Sequence, residues 1–134
     1  MSENQLLYYE THLCEKPAAA WMVFVHGAGG STRTWRRQID DLSQTHNLLM
    51  IDLPGHGHMA HHKNDTDVYT FENIAAEIWK VVDHLKLDAC HLVGVSLGAI
   101  IVLEMREARP LQTISVILSG PILKLNTKLK TLAS

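Results

Sequence analysis

Ser96 stands in Gly94-Val95-Ser96-Leu97-Gly98, where an apolar run ends and a helical pattern begins. A serine on a sharp strand-to-helix turn projects its Oγ clear of the backbone. Flanking glycines keep neighbouring chain out of the way, and the helix N-terminus beneath favours developing negative charge. Those are the needs of a nucleophile. The bland alternative is a structural serine in a tight turn, but the strand before it and the helix after it are the context the nucleophile pattern requires. A second stretch, Phe24-Val25-His26-Gly27-Ala28-Gly29-Gly30-Ser31, also follows an apolar run. Its glycine-rich backbone can aim N–H groups at one point, as stabilisation of an oxyanion demands. It has neither G-x-G-x-x-G spacing nor a Gly-Lys-Ser/Thr, which argues against a phosphate-binding turn. A third stretch, Met50-Ile51-Asp52-Leu53-Pro54-Gly55-His56-Gly57-His58-Met59, makes a tight Pro/Gly turn after a strand.

Histidines 56, 58 and 61, with His62 following, raise zinc as a rival chemistry. Three of the four residues of an H-x-H-x-D-H pattern are present, but Ala60 stands where the aspartate belongs. No histidine lies beyond His91 to complete such a site, so no metal and no cofactor is assigned. His12, His46, His84 and His91 read as isolated, solvated or locally hydrogen-bonded side chains. Trp35 falls close enough to the second stretch to line a pocket, but its spacing with Ile39 and Leu42 favours core packing. Cys90 reads as a small core residue.

The elements that must position these residues alternate in type. Residues 21–25, 48–52, 91–95 and 114–118 are nearly continuous apolar runs, as expected of parallel strands buried on both faces. Residues 6–12 are more polar and suit an antiparallel edge strand. Trp35, Ile39 and Leu42 predict one helix, with Ser31 or Thr32 as cap. Phe71, Ile74, Ala75, Ile78, Val82 and Leu85 predict a stronger one, capped by Thr70. A third helix begins at Leu97 and should stop before Pro110. This alternation implies a mostly parallel α/β sheet with right-handed crossovers and helices on both faces. After Pro121, Ile122, Leu125, Leu129 and Leu132 with interleaved lysines suggest the start of an amphipathic helix outside the sheet.

The 134 residues suffice for one hydrophobic core, and a net charge of −2 gives no reason to expect nucleic-acid or anionic-membrane binding. No apolar run approaches the roughly 20 residues of a membrane span. The polar N-terminus lacks the basic region of a signal peptide, and two cysteines make no disulfide framework. A cytoplasmic setting is the expectation.

Taken together and in order, the three stretches resemble the α/β-hydrolase superfamily, in its esterase, C–C hydrolase and haloperoxidase-like branch. The resemblance spans about residues 6 to 123. It implies that Ser96 is the nucleophile and that the backbone N–H groups of Ala28 and Leu97 form the oxyanion hole. His26, Gly27, Gly94 and Gly98 would shape the supporting turns, and Asp52 would hold a turn position instead of serving as the triad acid. The implied substrate is a small ester or related acyl compound.

In this superfamily the acid and then the histidine follow the serine. After Ser96 the only acids are Glu104 and Glu107, both on the helix that starts at the serine, and there is no histidine at all. Ser119 and Gly120 occupy a second common position for the acid. The expectation is therefore the N-terminal half of a longer hydrolase, with residues 1–120 as part of the core and 121–134 as the start of a helical cap. The C-terminal strands of the sheet would be missing, and this chain alone would be inactive. The run 114–118 would then be an uncovered apolar edge, prone to self-association or to pairing with a missing C-terminal segment. The rival from another class is a non-catalytic hydrolase-like module that binds a ligand or partner.

Overall fold

Apolar residues at successive positions of β2 (Trp21–Val25), β3 (Asn47–Ile51) and β4 (Cys90–Val95) can be satisfied only by burial on both faces, and this is how they lie. The computed structural model describes residues 5–60 and 69–120. β1 (Tyr9–His12) and β5 (Thr113–Ser119) complete a five-stranded sheet of order β1-β3-β2-β4-β5, in which only β1 is antiparallel. The polar first strand is thus an antiparallel edge, as its composition predicts, although it begins at Tyr9 and not at residue 6.

Alternation along the strands separates two cores. Val23, Val25, Leu49, Ile51 and Leu92 face the larger one, against α2 (Phe71–His84) and α3 (Leu97–Ala108). Met22, Phe24, Leu48, Met50 and Val93 face the smaller one, which Trp35, Ile39 and Leu42 cover. Trp35 is a core residue, its ring centre 4.9 Å from that of Phe24.

The segment over the smaller core departs from the predicted single helix. Residues 32–35 form a 3-10 turn, and only Ile39–Leu42, α1, is α-helical. Ser31 accepts from the Arg33 N–H, Thr34 bonds back to the Ser31 N–H, and the Thr32 N–H is drawn onto the Asp52 carboxylate at 2.7 Å. These bonds hold the start of the segment in tight i→i+3 turns, while its apolar residues still reach the sheet.

Thr70 caps α2 by accepting from the Asn73 N–H. Its buried face is wider than the predicted stripe: Trp79 and Val81 join it, while Phe71 is only partly covered. The reason is α3, against which Trp79 lies with its Nε1–H donating to the Met105 carbonyl oxygen at 3.0 Å. Arg109 caps this contact, stacked 4.9 Å above the Trp79 ring and paired with both carboxylate oxygens of Asp83 at 2.6 and 2.9 Å. Asp83 is consequently held below the usual carboxylate pKa by that guanidinium.

β5 is the other edge of the sheet. Val116 packs on the larger core, but Ile114, Ile117 and Leu118 are 51%, 44% and 40% exposed. The expectation of burial on both faces fails for this strand, which among the described residues has β4 as its one neighbour in the sheet. Among the described residues, no helix is long and apolar enough to cross a membrane.

Ile78 is fully buried between α2 and the sheet. Ile78→Ala should lower unfolding free energy by about 2–5 kcal/mol in urea titrations. A loss below about 1 kcal/mol would show that this packing is looser than described.

Candidate active site

The end of β4 delivers Ser96 in a conformation few non-glycine residues adopt, φ 55° and ψ −118°. Such backbone costs about 1–3 kcal/mol and persists only where surrounding structure over-determines it. Two glycines do so here. A Cβ on Gly98 would run into the Val25 carbonyl oxygen, and one on Gly94 into the Gly98 carbonyl oxygen. The first turn of α3 therefore lies directly on the ends of β2 and β4, and the chain between them has no wider path. Ser96 makes no side-chain cap to α3, so its hydroxyl is not spent on the helix. The Leu97 N–H belongs to the first turn of α3, where backbone donors lack intrahelical acceptors.

The glycine-rich loop comes to the same point. Gly27 passes so near Ser96 that a Cβ there would sit 3.1 Å from Ser96 Cβ and 3.6 Å from its Oγ. The Gly30 N–H donates to the Gly27 carbonyl oxygen at 3.0 Å, and Gly29 has φ +79°, the geometry of a type II turn. That turn bond leaves the Ala28 N–H outside it.

His26 is fully buried, and both its ring nitrogens are used. Nε2 accepts from the Leu53 N–H at 3.0 Å, so the proton is on Nδ1, which donates to the Gly27 carbonyl oxygen at 2.7 Å. Burial, opposed by that carbonyl, pushes its pKa below the ordinary histidine value. His26 ties the Gly27 turn to the turn after β3 and has no lone pair left for a base.

Asp52 is likewise consumed. Fully buried, it accepts from the Thr32 N–H at 2.7 Å, the His58 N–H at 2.8 Å and His58 Nδ1 at 2.9 Å. Gly57, at φ +51°, is where a side chain would strike that carboxylate. His58 stacks on Tyr8, ring centres 3.7 Å apart, and His56 Nδ1 lies 3.0 Å from the Pro54 carbonyl oxygen. Tyr8 is held above its ordinary pKa by burial and by Glu10. Among the described residues, no group of three or more His, Cys, Asp or Glu side chains is placed to hold a metal ion; His61 and His62 lie outside those residues. Cys90 is buried in the core, its thiol pushed up to about 11 by burial.

The structure thus brings Gly27, Gly94, Ser96, Leu97, Gly98 and the His26 strut together at the C-terminal ends of the strands. Thr32, His58 and Tyr8, which support the neighbouring turn, carry no sequence signal for that role beyond the capping position of Thr32. Open grooves of about 480 and 570 Å³ lie elsewhere, beside Leu13 and Gln44 and between α2 and α3; Ser96 lines neither.

Residues 20–132 match the family described as alpha/beta hydrolase fold. The chain belongs to the α/β-hydrolase family. Among its relatives, the protein provisionally named carbamate hydrolase RutD of Pseudomonas savastanoi pv. phaseolicola is 30% identical over 107 residues, covering 78% of this chain and 39% of that protein. The (E)-2-((N-methylformamido)methylene)succinate hydrolase of Acinetobacter baylyi is 28% identical over 99 residues, covering 74% and 36% respectively. A solved structure described as Est816, an N-acyl homoserine lactone degrading enzyme, superposes with a TM-score of 0.73 at 25% identity, over 86% of this chain and 42% of that one. The chain spans well under half the length of the curated relatives it matches.

Because the folded state holds His26 below its unfolded pKa, the unfolded chain binds the proton first as pH falls. Stability is then full above about pH 6.5 and declines on acidification through that value. His91, also lowered by burial, contributes in the same direction. His26→Asn removes its share, so the stability gap between parent and variant should narrow from about pH 7.5 to about 5.5 in urea titrations, whereas a constant gap would contradict the neutral strut.

Proposed function

We propose that this chain carries the nucleophile and oxyanion segments of a serine hydrolase acting on a small ester or related acyl substrate. The observation that carries this reading is the strained Ser96, its hydroxyl uncommitted to α3, with Gly27 against it. In the reaction Ser96 Oγ attacks the acyl carbonyl carbon. The Ala28 and Leu97 N–H groups hold the oxygen as it gains charge, the leaving group departs, and water releases the acyl group from Ser96. The names of the relatives, a carbamate, an amide-bearing succinate and an acyl lactone among them, support an acyl substrate class. The buried, reduced Cys90 and the free Cys14 fit a cytoplasmic setting.

Among the described residues, the histidine and the aspartate nearest in sequence to these turns are engaged elsewhere and do not activate the hydroxyl. His26 is locked, Asp52 is consumed, and no histidine follows Ser96. A serine without a base is a weak nucleophile. With p-nitrophenyl acetate, this chain should hydrolyse at close to the buffer rate and Ser96→Ala should change little; a full esterase rate lost in Ser96→Ala would overturn the reading of a partial site. The lack of a base after Ser96 also favours the rival, a non-catalytic binding module. In a preparation carrying the whole hydrolase fold, a fluorophosphonate probe should label Ser96, and failure to label would favour that module.

The apolar edge of β5 supports a second expectation, pairing with another chain or with a C-terminal segment of the fold. Sedimentation should show species larger than 15.0 kDa. A clean monomer with protected amides through residues 114–118 would sink it.

A further inference from the structure

At the end of the sheet away from Ser96, two histidines distant in sequence come together. His91 is the second residue of β4, directly across from Ser115 on β5, and His46 immediately precedes β3. β2 lies between β3 and β4, so the two rings reach toward each other over it. Their centres are 5.6 Å apart and their planes near perpendicular at 76°. Both side chains are half-buried.

Each imidazole is held through Nδ1. His46 Nδ1 lies 2.8 Å from Thr45 Oγ1, and the Thr45 hydroxyl already donates to the Leu42 carbonyl oxygen. With the hydroxyl proton directed at Leu42, the Nδ1–H of His46 donates to Thr45 Oγ1 and its Nε2 carries the lone pair. His91 Nδ1 lies 2.7 Å from Ser115 Oγ. Imidazoles oriented through one nitrogen by a hydrogen bond are how proteins hold metal-ligating histidines. Two imidazoles sharing a tetrahedral ion at about 2.0–2.1 Å have ring centres roughly 5 Å apart, close to the spacing here.

We propose that His46 and His91 form a two-histidine site for a borderline divalent transition-metal ion such as Zn²⁺, Ni²⁺ or Cu²⁺, with water completing the coordination. Nitrogen donors without a carboxylate disfavour Mg²⁺ and Ca²⁺. The site is remote from Ser96 and independent of the reading given for it.

The test is a ZnCl₂ titration of the isotope-labelled chain at about pH 7.5, following the histidine side-chain resonances individually. The His46 and His91 ring signals should move together with a midpoint of roughly tens of micromolar, as befits two protein ligands. His46→Ala, which lies outside the strands, and His91→Asn should each raise that midpoint at least about tenfold, with amide dispersion reporting that each variant is folded. His84→Ala, at an exposed position, should not change it. The proposal is overturned if neither signal moves up to about 1 mM Zn²⁺, if only the histidines of residues 56–62 respond, or if the paired shift persists in both variants.

Discussion

The contact on which the rest depends is between two stretches of backbone. Gly98, in the first turn of α3, rests against the Val25 and His26 carbonyl oxygens at the end of β2, closer than any side chain would permit. That approach sets the height of α3 above the sheet. With Gly94 pressed against the same turn, the chain can pass from β4 into α3 only through the strained conformation of Ser96. Strain at this residue follows from packing on either side of it, and the surrounding close-packed core sustains it.

A polar framework holds the loops beside this contact. His26 spans from the Gly27 turn to Leu53, and Asp52 spans from Thr32 to His58. Both are fully buried and hydrogen-bonded to backbone, the condition under which buried polar groups are tolerated. Residues that look chemically active in the sequence therefore act as struts, and their buried hydrogen bonds explain why neither is at liberty to exchange protons with a substrate.

Much of this was legible in the sequence because it is local. The apolar runs predict four parallel strands, with β2 matching to the residue, and the glycine-flanked serine predicts the turn. The Thr70 cap and the stop before Pro110 are read from single residue types. What was not legible depends on partners far along the chain. The segment after Ser31 opens as a 3-10 turn whose Thr32 N–H is held by Asp52, 20 residues along the chain. The buried face of α2 widens because Met105 receives Trp79. His46 and His91, isolated in sequence, become neighbours only once β3, β2 and β4 align.

The direction of β5 has a topological consequence. It runs parallel to β4, and among the described residues no strand lies along its outer edge. A further parallel strand from the same polypeptide must return to the starting end of the sheet, which takes a crossover of about a dozen residues or more. A strand from a separate molecule carries no such tether and can lie in either orientation, including the two-fold antiparallel pairing of β5 with its own copy. A parallel neighbour on β5 within one molecule therefore demands far more intervening chain than an antiparallel one.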